Sequence, residues 1–187
     1  GVMLRLGQVV IPDWNLPSYK AEKRMGVAQN TIGLLHSIVV TPLSVVALCE
    51  MPLAGASVQC RGATATLATV TAPYIAVLAT GISCGYFLFD CYVMGTQPPI
   101  RKSLGPTLCM LLWVHHLISL LVWPYCILVD RSAIFVTQLL TTELSNVGQN
   151  VFNLLTFLPK QNQTLNTIVG ITWIVSFAVC RMLPLPW

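Results

Sequence analysis

The run Leu104 to Trp123, LGPTLCMLLWVHHLISLLVW, limits what this chain can fold into more than any other stretch. As a helix rising 1.5 Å per residue it reaches about 30 Å, the thickness of a bilayer's hydrocarbon core, so it reads as a membrane span. Two adjacent histidines, His115 and His116, lie near its middle, and His115 falls roughly 17 Å from the Leu104 end. Ionisable side chains at that depth are costly and rarely face lipid, so an inward-facing polar site is the expectation.

Other apolar runs surround this one. Charged residues are only 9% of the 187-residue chain and hydrophobic ones 55%, a balance seldom seen in soluble domains. Spans are expected at about Val27 to Cys49, Ala72 to Met94, Leu104 to Trp123, Ser132 to Leu158 and Thr164 to Leu183. The fold class is therefore all-α, a polytopic transmembrane bundle of about five spans occupying residues 27–183, with no separate soluble domain. Residues 1–26, carrying Trp14, Tyr19, Lys20, Lys23 and Arg24, read as an interfacial segment, and 184–187 as a tail. Pro42 predicts a kink in the first span, and Pro124 with Asp130 and Arg131 the turn after the third. Gly81 and Gly85, four residues apart, present a small surface that another helix could approach closely.

Ten cations against six acids leave a net charge of +4. They are scattered between spans and form no basic face, which excludes nucleic acid as a partner. With five spans, Arg5, Lys20, Lys23, Arg24, Arg101, Lys102 and Lys160 fall on the N-terminal side, and Arg61, Arg131 and Arg181 on the other. That bias puts the N-terminus on the cytoplasmic, matrix or stromal face. The sequon Asn162 to Thr164 lies on the same side and is expected to be unglycosylated. Nothing near Gly1 reads as a secretory signal. The seven cysteines lack C-x-x-C spacing and read as small buried hydrophobes, with Cys60 the one exposed on a loop.

Within the fourth run, Glu143, Asn146, Asn150 and Asn153 recur at steps of three, four and three, one stripe on a helix, and this stripe is expected to face the bundle interior. Depths measured along the helices place Asp90 about 6 Å, His36 about 13 Å, His115 about 17 Å and Glu143 about 22 Å from the N-terminal face. All four therefore fall within a slab roughly 16 Å deep, about half of the membrane's thickness, and could meet there. A carboxylate beside imidazoles suits proton transfer, and it equally suits structural hydrogen bonding to carbonyls or to Tyr86. His36, His115, His116, Asp90 and Glu143 could supply a metal site, but no ligand spacing among them demands one, and any cofactor is unknown from the sequence. Ser83, Ser119 and Thr141 are expected to bond their own helix backbone.

Five motifs in order carry a resemblance: Asn30 to Ser37 (NTIGLLHS), Gly85 to Asp90 (GYFLFD), His115-His116 with Ser119, Glu143 to Asn146 (ELSN) with Asn150, and Arg181 in the last span. Together they resemble the TLC-domain family, which includes ceramide synthases and smaller membrane proteins. Where members usually carry an Arg after the Glu-Leu-Ser motif, this chain has Phe152, and the helix offers Glu143 and Asn146 but no second histidine. The resemblance implies a bundle whose polar interior opens toward membrane lipids, in the endoplasmic reticulum or another endomembrane, with a mitochondrial or plastid membrane as the alternative. It implies His115 or His116 as general base with Glu143 or Asp90 orienting it, and His36, Tyr86, Asn146 and Asn150 as lipid contacts. An accessory subunit of a larger membrane protein complex is the alternative role.

Overall fold

The computed structural model describes residues 21–56, 71–157 and 162–182, and every regular element among them is helical. The elements are α1 (Ala21–Ala56), α2 (Tyr74–Thr96), the short α3 (Pro98–Leu104), α4 (Pro106–Leu128), α5 (Ala133–Thr141), α6 (Leu144–Phe157) and α7 (Gln163–Phe177), followed by a π-helical turn at Ala178–Met182. Residues 1–20, Cys60, Arg61, Lys160 and the 184–187 tail, on which several expectations rest, lie outside the described residues.

Four stretches, Lys23–Met51, Tyr74–Thr96, Pro106–Leu128 and Gln163–Arg181, are long and apolar enough to cross a membrane. The bundle is organised on α1, which packs against α2, α3, α5 and α6. Beyond it, α4 lies on α2, and α7 lies on α6. At one end of α1, Met25 packs with the end of α2 and with α3, while Val27 packs with Leu154 and Phe157 of α6. At the other, Ala47 and Met51 share a core with Ala76, Ile127 and Ala133. Successive layers therefore run antiparallel. Outward-facing side chains such as Leu121, Leu128, Ile168 and Ile174 are exposed and apolar, as lipid contact requires.

Gly105 makes the sharp passage from α3 to α4. Its φ of +76° suits a residue without Cβ, and Pro106 follows at the first helical position, where a missing N–H is not missed. After α4, Asp130 and Ser132 both take positive φ, and the Asp130 carboxylate accepts a 2.9 Å bond from the Ala72 N–H, tying that turn to the start of α2.

Three expectations are corrected. The fourth span is not continuous: α5 and α6 together run along α1 between Met51 and Val27 but break at Thr142 and Glu143. Here the backbone tightens to i→i+3 bonds, Thr142 N to Leu139 O and Glu143 N to Leu140 O. The hydroxyls of Thr141, Thr142 and Ser145 each take a carbonyl three residues back, at 2.6, 2.6 and 2.8 Å, which is how such side chains compete with helix bonding. Pro124 lies inside α4 rather than ending it, four residues before Leu128. Gly81 and Gly85 are exposed, and a Cβ at either would meet no atom within 4 Å among the described residues.

No described residue packs on those glycines, so their cost among the described contacts is one of propensity. Gly85→Ala is expected to leave the fold intact and to raise stability by up to about 1 kcal/mol, read as thermal unfolding in detergent; a marked destabilisation would mean that another helix does seat there.

Candidate functional site

A polar chamber of about 220 Å³ lies between α1, α2, α4 and α6, with Phe177 and Arg181 at its α7 side. It opens on seven of the eight residues singled out from the sequence: Tyr86, Asp90, His115, His116, Glu143, Asn146 and Asn150. The eighth, His36, sits behind Tyr86, its ring stacked on the phenol at 4.2 Å and 14°.

Two acid-centred clusters face each other across this space. In the first, Asp90 is buried and accepts a 2.7 Å bond from the Gln29 amide, while its other oxygen lies 3.4 Å from Nδ1 of His116. That nitrogen has no partner at hydrogen-bonding geometry, so the pair is close but not locked. Phe87 supports it, stacking on the His116 ring at 4.7 Å and 20°. His115, one residue earlier, points about 100° away around the helix and is exposed at the chamber rim, its ring meeting Phe87 edge-on at 6.0 Å. The adjacent histidines thus occupy different environments, although both were expected to point inward.

In the second cluster, Glu143 sits at the helix break, 4% exposed. It accepts a 2.6 Å bond from the Asn146 amide, lies 3.8 Å from Nη2 of Arg181 and 3.9 Å from Nδ1 of His36. Arg181 donates further bonds to Ser145 Oγ at 3.1 Å and to Asn146 Oδ1 at 3.2 Å. A charge counted from the sequence as flanking the last span is therefore folded back into the site. Ser83 is redirected as well: its hydroxyl lies 3.1 Å from His36 Nε2, across helices, instead of bonding its own backbone. Thr141 does bond its own helix.

The polar stripe of α6 faces α1 as expected. Asn153 donates to Asn30 at 2.9 Å, Asn30 in turn to the Gly26 carbonyl at 2.7 Å, and Asn150 to the Asn146 carbonyl at 2.8 Å. Gly33 lets α1 approach this stripe closely, since a Cβ there would lie 3.0 Å from the Asn150 amide and 3.1 Å from the Tyr86 hydroxyl and would require those side chains to shift. Gln29 and Gln149 also line the chamber, and neither stood out in the sequence: Gln29, near the start of its span, looks like an interfacial residue, and Gln149 lies off the asparagine stripe. Among the described residues, no three of His, Cys, Asp and Glu are grouped to hold a metal ion.

With the motif residues of α1, α2, α4, α6 and the last turn gathered at one chamber, the family comparison is decisive: the family model described as TLC domain matches residues 27–187. This chain belongs to the TLC-domain family. No curated protein and no solved structure gives a significant match. In this TLC-domain protein, Phe152 stacks on Trp173 at 5.9 Å in the seam between α6 and α7, and the guanidinium in the chamber is that of Arg181.

Proposed function

We propose that this integral membrane protein of the TLC-domain family handles membrane lipids at the chamber, with His116 as general base toward a lipid hydroxyl or amine and Asp90 orienting it. The observation that carries the reading is the buried His116 and Asp90 pair opening on the same small cavity as Glu143, Arg181 and the asparagine stripe. When Nδ1 of His116 carries its proton toward Asp90, Nε2 on the opposite ring edge is left with a lone pair. That atom can take the proton of a nucleophile, and Asp90 then faces the imidazolium that forms. Gln29 holds the carboxylate in place. Glu143, Arg181 and the stripe supply hydrogen-bonding groups for a polar head, and Phe87, Leu112 and Phe177 line apolar wall beside them. Endoplasmic reticulum or another endomembrane is the proposed location, as in the family.

Comparing the lipid composition of cells overproducing the natural chain, His116→Ala or His115→Ala tests the reading, with protein level measured alongside. The lipid change produced by the natural chain is expected to vanish in His116→Ala, consistent with the roughly 10²- to 10⁴-fold contribution of a general base, and to persist in large part in His115→Ala. A lipid profile in His116→Ala equal to that of the natural chain overturns it. Retention in a large complex with no lipid change in any variant would point to the accessory-subunit role.

A further inference from the structure

A second feature lies outside the chamber and shares no residue with it. Where α3 turns into α4, a groove of about 550 Å³ is lined by Arg101, Lys102, Pro106, Cys109, Met110 and Trp113. Its two cations belong to the last turn of α3 and are exposed. Below them the lining is apolar and follows one face of α4, since Pro106, Cys109, Met110 and Trp113 are spaced at helical steps. The strip runs from the end of the bundle toward its middle for about 10 Å. Its floor is firm: Cys109 is buried in the cluster formed with Met94 and Ile100, and Trp113 packs against the end of α2 at Gly95.

We propose that this groove is a binding site for an anionic glycerophospholipid of the surrounding leaflet, with its headgroup on Arg101 and Lys102 and one acyl chain along the Pro106 to Trp113 strip. The charge pattern selects this occupant. Among the described residues no carboxylate lines the groove, and the same end of the bundle carries Lys23 and Arg24, whereas the opposite end carries only Arg131. A zwitterionic head brings its own cation against the two side chains, while an anionic head brings net negative charge to them. The step from exposed cations to an accessible apolar strip, with Met110 exposed and Cys109 buried at its floor, also matches the change along a phospholipid from head to tail. Lys and Arg beside a membrane surface each favour anionic lipid by about 1 kcal/mol, roughly fivefold.

The test uses the full chain reconstituted in mixed vesicles, with either brominated phosphatidylglycerol in phosphatidylcholine or brominated phosphatidylcholine in phosphatidylglycerol, at the same low fraction of brominated lipid. The difference in emission between the natural chain and Trp113→Phe isolates the quenching of Trp113. Brominated phosphatidylglycerol is expected to occupy the site roughly 25-fold more readily than brominated phosphatidylcholine, fivefold for each of the two cations. R101Q/K102Q should abolish that preference, while R101K/K102R, which keeps both charges, should retain it. Equal quenching by the two lipids in the natural chain, or a preference that survives R101Q/K102Q, overturns the proposal.

Discussion

Arg181→Met is expected to destabilise this protein by about 3–5 kcal/mol, and the double variant E143Q/R181M by far less. Glu143 is almost fully enclosed and has three polar neighbours: the Asn146 amide at 2.6 Å, the Arg181 guanidinium at 3.8 Å and His36 at 3.9 Å. Arg181 also anchors Ser145 and Asn146, so it is the cation that offsets the acid and the clamp that holds the first turn of α6. Removing it alone leaves a carboxylate with no cation in a medium that solvates charge poorly, which is the costly half of breaking a buried pair. Removing the charge of the acid as well takes that penalty away and leaves an amide that still reaches Asn146. Fluorescence-detected thermal unfolding in detergent distinguishes the two. A drop on the order of 10 °C is expected for the single variant, from the scaling for chains of this size, with most of it recovered in the double. Equal drops in the two variants would show that Arg181 acts by packing and not through the acid.

That pairing also marks where the sequence ceases to be readable. The long apolar runs ending in Pro, Gly or charge gave α2 to within two residues and the whole-chain fold class, because bilayer thickness leaves few alternatives. The stripe from Glu143 to Asn153 was legible for a similar reason, since polar groups at helical steps inside an apolar helix must find one another. The break at Thr142 was not legible, because hydropathy does not register hydroxyls drawing carbonyls out of the helix ladder. Arg181 was legible as a motif residue of the last span but not as a site residue, because a cation near a span end normally snorkels toward water, and only the fold-back of α7 onto α6 shows it pointing inward. Depth estimates separated Asp90 from His115 by about 11 Å, yet Asp90 and His116 lie 3.4 Å apart. Part of that gap closes because α2 runs on to Thr96 and α4 starts only at Pro106. Helix crossing, which no single-helix ruler contains, supplies the rest.

Gly148→Leu is expected to reproduce the loss seen on removing Arg181, although it touches neither the acid nor the histidines. Among the described residues, α6 is the helix against which α7 packs extensively, and α7 has no fully buried residue of its own. Its attachment therefore depends on close approach. A Cβ at Gly148 would lie 3.2 Å from both Cα and Cβ of Trp173. Backbone cannot swing aside as a side-chain tip can, so a leucine there must push the helices apart, a strain of about 1–3 kcal/mol or more. Displacing α7 also carries Arg181 away from Glu143, adding the unpaired-charge penalty to the packing cost. Gly170 supplies the control on the same seam, for its Cβ would meet only the Phe152 ring, at 3.2 Å, which can turn. The expected order of thermal stability is natural chain, then Gly170→Leu, then Gly148→Leu, with the last also losing the lipid change expected of the natural chain. In the Arg181→Met background, Gly148→Leu should add less than it does alone, because the two changes disrupt one shared contact. Full additivity, or a Gly148→Leu variant as stable as the natural chain, would mean that the seam does not hold Arg181 at the acid.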